Sequence, residues 1–421
     1  MARLLYNFLI YLFYFPFVLI IFLRRIYGKE HQEKFKEKIF KKKFQRPSGF
    51  LFWFHVASIG ELNSILPIVE FFLKKNIKSY ILITTITLSS YNQIQKKYGN
   101  EKRIFHQFLP YDINFLVNNF FENWKPDIVS FVDSEIWPNF IFKIKGEKIP
   151  FLLLNARLTK KTFTRWKVVK SFAQSIFSSF SLAISSNKET IDYLNYFNTK
   201  QIKYFGNIKF CSSIDFDNQQ INKDLNSISQ KMWCALSIHP GEEIFCGNVQ
   251  KILKNKFSDS LAIIIPRHTH KIKNMYKNLK KLGFNVQIKS ENDKIEKTAD
   301  IVIVNYYGST LKYLKNINNV FIGKSLLSNK KNDGGQNPID AAKLGCNIYH
   351  GPYVNNFKEI YKYLDNENIS EQIQDPEIFA EKLIDNLQKS HNKNKENVEK
   401  IHIYSKEIFN GVIDEYQKLI K

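Results

Sequence analysis

The sequence predicts an α/β protein with two doubly wound domains behind an amino-terminal membrane segment. Three observations lead to this fold class. The chain has 421 residues, which is more than one ordinary hydrophobic core holds. Short apolar runs alternate with amphipathic helical stretches in both halves, and the first residues form one long apolar segment. We therefore expect two domains of up to about 200 residues each.

The amino-terminal segment is apolar from Leu4 to Leu23 except at Asn7 and Pro16. As a helix it is long enough to cross about 30 Å of hydrocarbon. It ends in two arginines rather than in the small residues of a cleaved signal peptide, so residues 1–25 are interpreted as a transmembrane anchor. Most nearby positive charge follows the segment, which places the rest of the chain in the cytoplasm.

Residues 26–48 are strongly basic and carry Phe35, Ile39, Phe40 and Phe44 at helical spacing. This pattern predicts an amphipathic helix along the anionic leaflet of a membrane, with a solvated basic linker as the alternative. A nucleic-acid partner is not expected, because no base-stacking motif accompanies the charge.

Buried parallel strands are predicted from the short apolar runs, which polar or glycine-bearing loops follow. In the first domain, residues 49–205, the runs are Leu51 to Val56, Tyr80 to Ile86, Ile128 to Val132, Phe151 to Leu154 and Leu182 to Ile184. In the second domain, residues 206–390, they are Met232 to Leu236, Leu261 to Ile265, Val286 to Ile288, Ile301 to Val304 and Val320 to Ile322.

The tail, residues 391–421, predicts a helix with Ile401, Tyr404, Ile408 and Val412 on one face. Ligands of open α/β sheets bind beyond the carboxyl ends of the strands, so with two such domains we expect the site in a cleft between them. This is the architecture of GT-B glycosyltransferases. Periplasmic binding proteins and many dehydrogenases also have two wound domains.

The composition indicates an anionic partner and reduced thiols. The formal net charge is +23, from 62 Lys and Arg against 39 Asp and Glu. Such an excess fits nucleic acid, phospholipid or a phosphorylated substrate, although lysine is abundant throughout the chain. Four cysteines lie far apart with no CxxC, which argues against a zinc site and a disulfide framework.

The loops of the first half hold acids and then bases. In "SIGE", Ser58 precedes Glu61 at a strand-to-helix turn, where a carboxylate is either a helix starter or a site residue. Glu135 follows a later strand together with Asp133, and capping is the alternative role for one of these acids. The loop after the predicted strand Phe151 to Leu154 carries polar and basic residues that suit an anionic acceptor. They are Asn155, Arg157, Lys160 and Arg165.

The loops of the second half are rich in glycine and hydrogen-bond donors. "SIHPGEE" holds Ser237, His239, Gly241 and Glu242, and "PRHTH" holds Arg267 and His268. The histidines lack a third ligand at metal-site spacing, so donors to a phosphate or a base are preferred and no metal is assigned.

A glycine pair precedes a helix expected near Ile339. Backbone amides at Gly334 and Gly335 approach an anion closely, and Asn337 and Asp340 follow, the acid being suited to a ribose hydroxyl. Neither GxGxxG nor GxxxxGK[ST] is present, so a dinucleotide fingerprint and a P-loop are not indicated.

Several strings together resemble a known family. They are "HVASIGELNSILPIV", "TTITLSSY", "FLPYDINFLVNNFFENWKPDIVSFVDSEIWPN", "LLLNARLTKKTFTRW", "GNIKF", "SIHPGEE", "IIIPRHTHK" and "GGQNPIDAAKLGCNIYHGPYVNNF". Their order and context are similar to those of the 3-deoxy-D-manno-octulosonic acid (Kdo) transferases over about residues 1 to 365.

The resemblance implies an inverting, metal-independent GT-B enzyme without a cofactor, on the cytoplasmic face of the inner membrane. Its expected substrates are CMP-Kdo and a lipid A precursor. Glu61 matches the family's catalytic base, and Arg267 and His268 match a Pro-Arg-His element. Gly335, Asn337 and Asp340 match the nucleotide loop, which assigns residues 206–390 to the CMP-sugar and residues 49–205 to the acceptor.

The chain also departs from the family pattern. Asp340 stands where a glutamate is usual, Lys324 replaces a second glycine after Gly323, and the 324–333 loop is longer. Asp215 and Asp217 resemble the DxD of metal-dependent transferases and are interpreted as chance. A transferase for another nucleotide sugar and a non-catalytic, membrane-anchored basic scaffold remain as alternatives.

Overall fold

The computed structural model describes residues 2–75, 78–213, 225, 231–327, 334–389 and 393–420. The chain forms two compact units. Unit 1 contains Met1–Ser213 and Ser405–Lys421, and unit 2 contains Ile214–Tyr404. Each unit has a seven-stranded sheet, and all the paired strands are parallel. The predicted pair of doubly wound α/β domains is confirmed.

Unit 1 has the strand order β3-β2-β1-β4-β5-β6-β7. Its strands are β1 Phe50–Val56, β2 Ser79–Thr85, β3 Ile104–Phe108, β4 Ile128–Val132, β5 Phe151–Ala156, β6 Leu182–Ser185 and β7 Ile202–Tyr204. Its helices are α1 Ala2–Leu12, α2 Tyr14–Ile26, α3 Ile59–Lys75, α4 Leu88–Tyr98, α5 Asn114–Trp124, α6 Pro138–Gly146, α7 Lys160–Val168, α8 Lys170–Phe177 and α9 Lys188–Tyr196. The order reverses between β1 and β4, which makes their carboxyl ends the topological switch point.

Aromatic side chains fill the core of unit 1. Trp53 of β1 is fully buried, with its ring 4.6 Å from Phe120, 5.4 Å from Phe131 and 5.7 Å from Phe140. The indole of Trp53 donates a 2.8 Å hydrogen bond to Thr84 Oγ1, so its buried N–H is satisfied. This packing fixes the strand that ends at the Ser58–Glu61 turn.

Unit 2 has the strand order β10-β11-β9-β8-β12-β13-β14. Its strands are β8 Met232–Ile238, β9 Leu261–Pro266, β10 Val286–Lys289, β11 Ile301–Val304, β12 Asn319–Ile322, β13 Asn347–His350 and β14 Ser370–Gln372. Its helices are α10 Glu242–Lys256, α11 Ile272–Lys281, α12 Thr310–Leu314, α13 Ile339–Lys343, α14 Lys358–Asn366 and α15 Pro376–Gln388. The switch point of this sheet lies between β8 and β12.

The apolar runs found the central strands of both sheets and missed strands with polar sequences. The missed strands are β3 "IFHQF", β7 "IKY", β13 "NIYH" and β14 "SEQ". Three of them, β3, β7 and β14, are edge strands in the strand order, and β13 adjoins the edge strand β14. An edge position needs fewer apolar side chains, so hydropathy carries little signal there.

The single membrane helix expected over Leu4 to Leu23 is divided at Phe13. Two helices, α1 and α2, meet there at an angle of 45°. Among the described residues no single helix is both long enough and apolar enough to cross a membrane. The two helices of the bent pair, taken together, have the required length and apolar composition. The prediction of one continuous spanning helix is therefore corrected to a bent pair.

The amphipathic helix expected over residues 26–48 is also replaced by other structure. Only Lys34–Lys38 is helical, as a short 3-10 turn. Phe35 and Ile39 are buried against Ile21 of α2, and Phe44 packs with its ring 4.4 Å from that of Trp124. Phe35, Ile39 and Phe44 therefore pack against protein, which removes their apolar surface from water, whereas Phe40 is 46% exposed.

Part of the basic charge of this segment is neutralised internally. The buried Glu30 carboxylate contacts Arg24 at 2.7 Å and Lys38 at 2.5 Å. Lys38 also donates to the Ile86 carbonyl after β2 at 2.8 Å, and the similarly buried Glu37 pairs with Lys42 at 2.8 Å. The basic segment, residues 26–48, is thus part of unit 1.

The carboxyl-terminal helix α16 spans Lys395–Ile420. Ile401, Ile408 and Val412 are buried on one face, as the spacing predicts. In unit 1, Tyr416 lies with its ring 5.3 Å from Phe72 of α3, and its hydroxyl is 2.5 Å from Ser130 Oγ of β4. The end of α16 therefore supports the helix that carries Glu61.

Replacing Ile408 with alanine is expected to lower the free energy of unfolding of unit 1 by about 2–5 kcal/mol, since its fully buried side chain would leave a cavity. The matched control, Ile420→Ala, removes a side chain that is 36% exposed and should change it by about 0.5 kcal/mol or less. Urea unfolding followed by circular dichroism measures both. Equal losses would contradict the packing described for α16.

Candidate functional site

Acidic side chains of unit 1 gather at the carboxyl ends of β1 and β4. The chain turns after Val56 and enters α3 at Ile59, which places Glu61 in the first helical turn. After β4, Asp133 adopts a left-handed conformation with φ +63°, and Glu135 follows it. Because β1 and β4 are neighbours at the switch point, both loops lie where open α/β sheets bind ligands.

Glu61 is held by its own turn. Its Oε2 accepts a 2.7 Å hydrogen bond from the Ala57 N–H, and its Oε1 accepts one of 2.8 Å from the Ser58 hydroxyl. Burial raises the pKa of Glu61, the two hydrogen bonds offset part of that rise, and the nearby charges of Asp133 and Glu135 add to it. The result is an oriented carboxylate whose proton affinity is above the ordinary value.

Glu135 has a different environment. Its Oε2 lies 3.3 Å from His55 Nε2 and accepts a 2.9 Å hydrogen bond from the Trp137 indole. Burial alone would raise the pKa of Glu135, but His55 and Trp137 lower it overall. His55 is itself fully buried and oriented by Thr84, whose Oγ1 lies 3.0 Å from its Nδ1.

The two carboxylates are therefore separated in proton affinity. Glu61, with the raised pKa, is the better proton acceptor near neutral pH, whereas Glu135 is held ionised. Asp133 forms an ion pair with Lys209 at 3.3 Å, so a lysine side chain also lies beside these acidic residues. The arrangement suits base catalysis on a hydroxyl group.

The residues predicted for an anionic acceptor divide into two kinds. Asn155 is buried with φ +53°, and its Oδ1 accepts a 3.0 Å hydrogen bond from the Ile208 N–H, so it orders the loop after β7. Arg157 is half-buried, and its amide donates to the Asp133 carbonyl at 3.3 Å. Lys160 and Arg165 are exposed on α7. The last three place positive charge beside the β4 and β5 loops.

Glu242 of unit 2 accepts hydrogen bonds from four backbone N–H groups. His239 and Lys324 donate to Oε2 at 3.0 and 2.7 Å. Ser325 and Leu326 donate to Oε1 at 2.9 and 3.1 Å. The carboxylate thus orders the loop after β12 at the switch point, and its assignment to a donor substrate stays a prediction.

Three imidazole rings lie near each other at this edge of unit 2. The ring of His268 is 5.5 Å from His239 and 5.5 Å from His270. The His268 side chain is exposed, but the protein around it still removes part of its water. This partial desolvation, followed by the charges of His270, Arg267 and nearby lysines, lowers the pKa of His268. Arg267 is exposed, and its amide is bound to the Ile238 carbonyl at 3.1 Å. Within the described part of the chain, no three His, Cys, Asp or Glu side chains are arranged to hold a metal ion.

Close packing explains the glycine pair. A Cβ on Gly334 would lie 2.1 Å from the Tyr353 carbonyl oxygen, and one on Gly335, at φ +89°, would lie 2.9 Å from the Val354 Cα. Asn337 Oδ1 accepts from the Ile339 N–H at 3.1 Å, at the first residue of the short helix α13. The glycines therefore let two loop segments touch.

The remaining predicted residues have local explanations. Burial raises the pKa of Asp340 on α13, and the Lys343 charge offsets part of that rise. Ser237 has φ +58° at an irregularity in the pairing of β8 with β9, and Gly241 precedes α10 at φ +99°. The longer 324–333 loop falls partly, and the Asp215–Asp217 motif wholly, outside the described residues.

Sequence reasoning did not single out His55, Trp137 or Lys209 as site residues. His55 reads as a member of an apolar strand, and its role appears only when β1 pairs with β4. Trp137 and Lys209 lie in the quoted strings, so the resemblance contained them but assigned them no contact. Their partners are 2 and 76 residues away in sequence.

Comparisons with known proteins agree with the resemblance. The family model described as 3-Deoxy-D-manno-octulosonic-acid transferase (kdotransferase) matches residues 30–212. Over 418 residues the chain is 30% identical to a 3-deoxy-D-manno-octulosonic acid transferase of Rickettsia bellii, which covers 99% of this chain and 98% of the relative.

Solved structures show the same fold at low sequence identity. A putative UDP-N-acetylglucosamine 2-epimerase of Listeria monocytogenes has a TM-score of 0.58 at 12% identity, covering 88% of this chain and 98% of that one. The glycotransferase of kitacinnamycin has a TM-score of 0.52 at 10% identity, covering 89% and 100%. At these identities the likeness concerns the fold alone, which consists of two parallel-sheet α/β units.

Glu242→Gln is expected to lower the free energy of unfolding of unit 2 by about 2–4 kcal/mol, because the new amide group would face backbone donors that need an acceptor. Glu371→Gln is the control, since its side chain is 49% exposed and its pair with Lys382 contributes about 1 kcal/mol or less. Urea unfolding measures both. Equal stability of the two variants would show that Glu242 does not order the β12 loop.

Proposed function

Because the chain belongs to the 3-deoxy-D-manno-octulosonic acid transferase family and is a glycosyltransferase, we propose that it transfers Kdo from CMP-Kdo to a lipid A precursor. The acceptor is of the lipid IVA type, and the product enters the inner core of lipopolysaccharide. The reaction inverts the anomeric centre and uses no metal ion or cofactor. The observation that carries the proposal is the oriented Glu61 carboxylate with its raised pKa.

The proposed step is a single displacement. A sugar hydroxyl of the acceptor attacks the anomeric carbon of Kdo while Glu61 removes the hydroxyl proton. The bond from that carbon to the phosphate oxygen breaks, and CMP leaves with the electron pair. One displacement inverts the centre, and base catalysis of this kind contributes roughly 10²- to 10⁴-fold.

The environment of Glu61 supports this role. Two hydrogen bonds hold the carboxylate in one orientation, so little reorganisation is needed when it takes a proton. Its raised pKa makes it a stronger base than an ordinary surface glutamate. The negative charge of Glu135 nearby further favours the protonated state that Glu61 reaches during the step.

Charged residues support the assignment of the two substrates. Arg157, Lys160 and Arg165 of unit 1 offer cations to the phosphates of a lipid A precursor. In unit 2, Arg267 and His268 are exposed after β9 and offer donors to the phosphate of CMP. A leaving phosphate needs such groups because negative charge develops on it.

We further propose that α1 and α2 attach the chain to the cytoplasmic face of the inner membrane by lying in the plane of one leaflet. One side of the pair contacts unit 1: Tyr6 donates to Asp112 at 2.6 Å, and Phe17 stacks on Tyr111 at 4.3 Å. The opposite side exposes 45–78% of each of these apolar side chains: Leu4, Leu5, Phe8, Leu12, Phe15, Leu19, Ile20 and Leu23. A two-sided pair of this kind is typical of interfacial helices.

Glu61→Gln is expected to reduce transfer of labelled Kdo from CMP-Kdo to tetra-acylated lipid A precursor by roughly 10²-fold or more, because an amide cannot take up the proton. Glu70→Gln is the matched control on the same helix, α3, where the side chain bonds Lys97 and Tyr98. Its activity should stay within about twofold of the wild type. The assay uses the full-length protein in detergent.

Two further arms of that assay separate the alternatives. Adding EDTA should leave transfer unchanged if no metal ion takes part. A folded Glu61→Gln protein with wild-type activity would reject Glu61 as the base. Wild-type protein that accepts another nucleotide sugar but not CMP-Kdo would redirect the proposal to that donor.

In-plane attachment predicts that a cysteine introduced at Ala2 is not labelled by a membrane-impermeant maleimide added from the periplasmic side. Lys188→Cys, on the exposed start of α9, is the control and should react only in inverted vesicles. Cys234, Cys246 and Cys346 are buried, and the half-exposed Cys211 is replaced by serine for the assay. Periplasmic labelling of Ala2→Cys would instead support a helix pair that crosses the bilayer.

A further inference from the structure

The buried carboxylate of Asp112 joins the amino-terminal helix to unit 1. Asp112 lies before α5 and is fully buried. Its Oδ2 accepts a 2.6 Å hydrogen bond from the hydroxyl of Tyr6 on α1. The Tyr6 ring also lies 6.1 Å from that of Phe172 on α8. The hydroxyl therefore fixes α1 to a group inside the protein rather than to its surface.

The same carboxylate caps α6. The residue that precedes this helix, Trp137, makes no side-chain capping bond. Instead Asp112 Oδ2 accepts from the Asn139 N–H and Oδ1 from the Phe140 N–H, both at 3.0 Å. The Asn139 side chain returns a 2.7 Å bond to the Asp112 carbonyl. The first N–H groups of α6 have no acceptor within the helix, and they donate instead to the Asp112 side chain that Tyr6 orients.

The start of α6 is adjacent to the acidic group of unit 1. Pro138 begins the helix directly after Trp137, whose indole binds Glu135. Resting on the function proposed above, we infer that Tyr6 is a positioning residue for the reaction: its bond to Asp112 holds α6 and the Glu135–Trp137 loop in place beside Glu61. Docking of the membrane-attached helix α1 would then set the geometry of the acceptor loop.

The charge state of Asp112 gives this link a pH dependence. Burial raises the pKa of Asp112 to about 7, and the bonds from Tyr6, Asn139 and Phe140 keep it from rising further. The titratable groups that face it are Tyr6 and the adjacent Tyr111, while α6 contributes amides. Without the Tyr6 hydroxyl the pKa rises, so more Asp112 is protonated at a given pH. A protonated carboxyl group accepts the two α6 amides less well.

The test compares Tyr6→Phe with Tyr11→Phe, which removes a hydroxyl from the same helix at a side chain that is 47% exposed. Both full-length variants are assayed in detergent, where membrane attachment plays no part. For Tyr6→Phe we expect kcat to fall about tenfold at pH 6.5 and to recover to within about twofold at pH 8.5, since one pKa unit corresponds to a tenfold change. KM for CMP-Kdo should stay unchanged, and Tyr11→Phe should match the wild type.

Hydrogen exchange provides a readout that does not depend on the reaction. In Tyr6→Phe, amides of residues 137–141 should exchange at least about threefold faster than in Tyr11→Phe. Asn139→Ala removes the bond to the Asp112 carbonyl and should speed exchange at the same amides. This variant replaces Tyr6→Phe in the exchange test if Tyr6→Phe does not fold. Unchanged exchange and an unchanged pH profile would overturn the inference. Faster exchange in a protein that transfers no Kdo would retain the coupling and reject the proposed function.

Discussion

Carboxylates that accept backbone N–H groups organise the loops at the carboxyl edges of both sheets. Glu61 accepts from the turn after β1, Asp112 from the start of α6, and Glu242 from the loops after β8 and β12. Strand ends and helix starts leave amides without backbone partners, and burying them unsatisfied would cost free energy. An acid satisfies several such donors at once. The loop geometry on which any ligand site depends follows from this constraint.

The same constraint sets the proton affinities of the acids. A carboxylate inside the protein is disfavoured by desolvation and favoured by the donors around it, so small differences in partners give different outcomes. His55 and Trp137 shift Glu135 toward the ionised form, whereas two donors leave the pKa of Glu61 raised. Neighbouring acids with unlike proton affinities are a common device for dividing acid and base roles. Here the difference comes from partners on β1 and on the loop before α6.

In the amino-terminal region some apolar side chains pack inside unit 1, and others are exposed where we expect a membrane. Phe35 and Ile39 pack beneath α2, and Glu30 and Glu37 neutralise Lys38 and Lys42. Most of the large apolar side chains that remain exposed in this region lie on a bent helix pair. The helix pair and the rest of unit 1 thereby form one structure, in which the Tyr6 hydroxyl bonds the buried Asp112 carboxylate.

The sequence by itself determined the two-domain α/β class, the central strands of each sheet and the buried face of α16, because these depend on local hydrophobic periodicity. It also brought out Glu61 and the basic loop after β5 through motifs. Only the tertiary structure decided that Glu242 orders a loop, that Gly334 and Gly335 permit contact with residues 353–354, and that Asp112 joins α1 to α6. Those roles depend on partners up to 106 residues apart, such as Tyr6 and Asp112, and periodicity in a short window carries no information about such pairs.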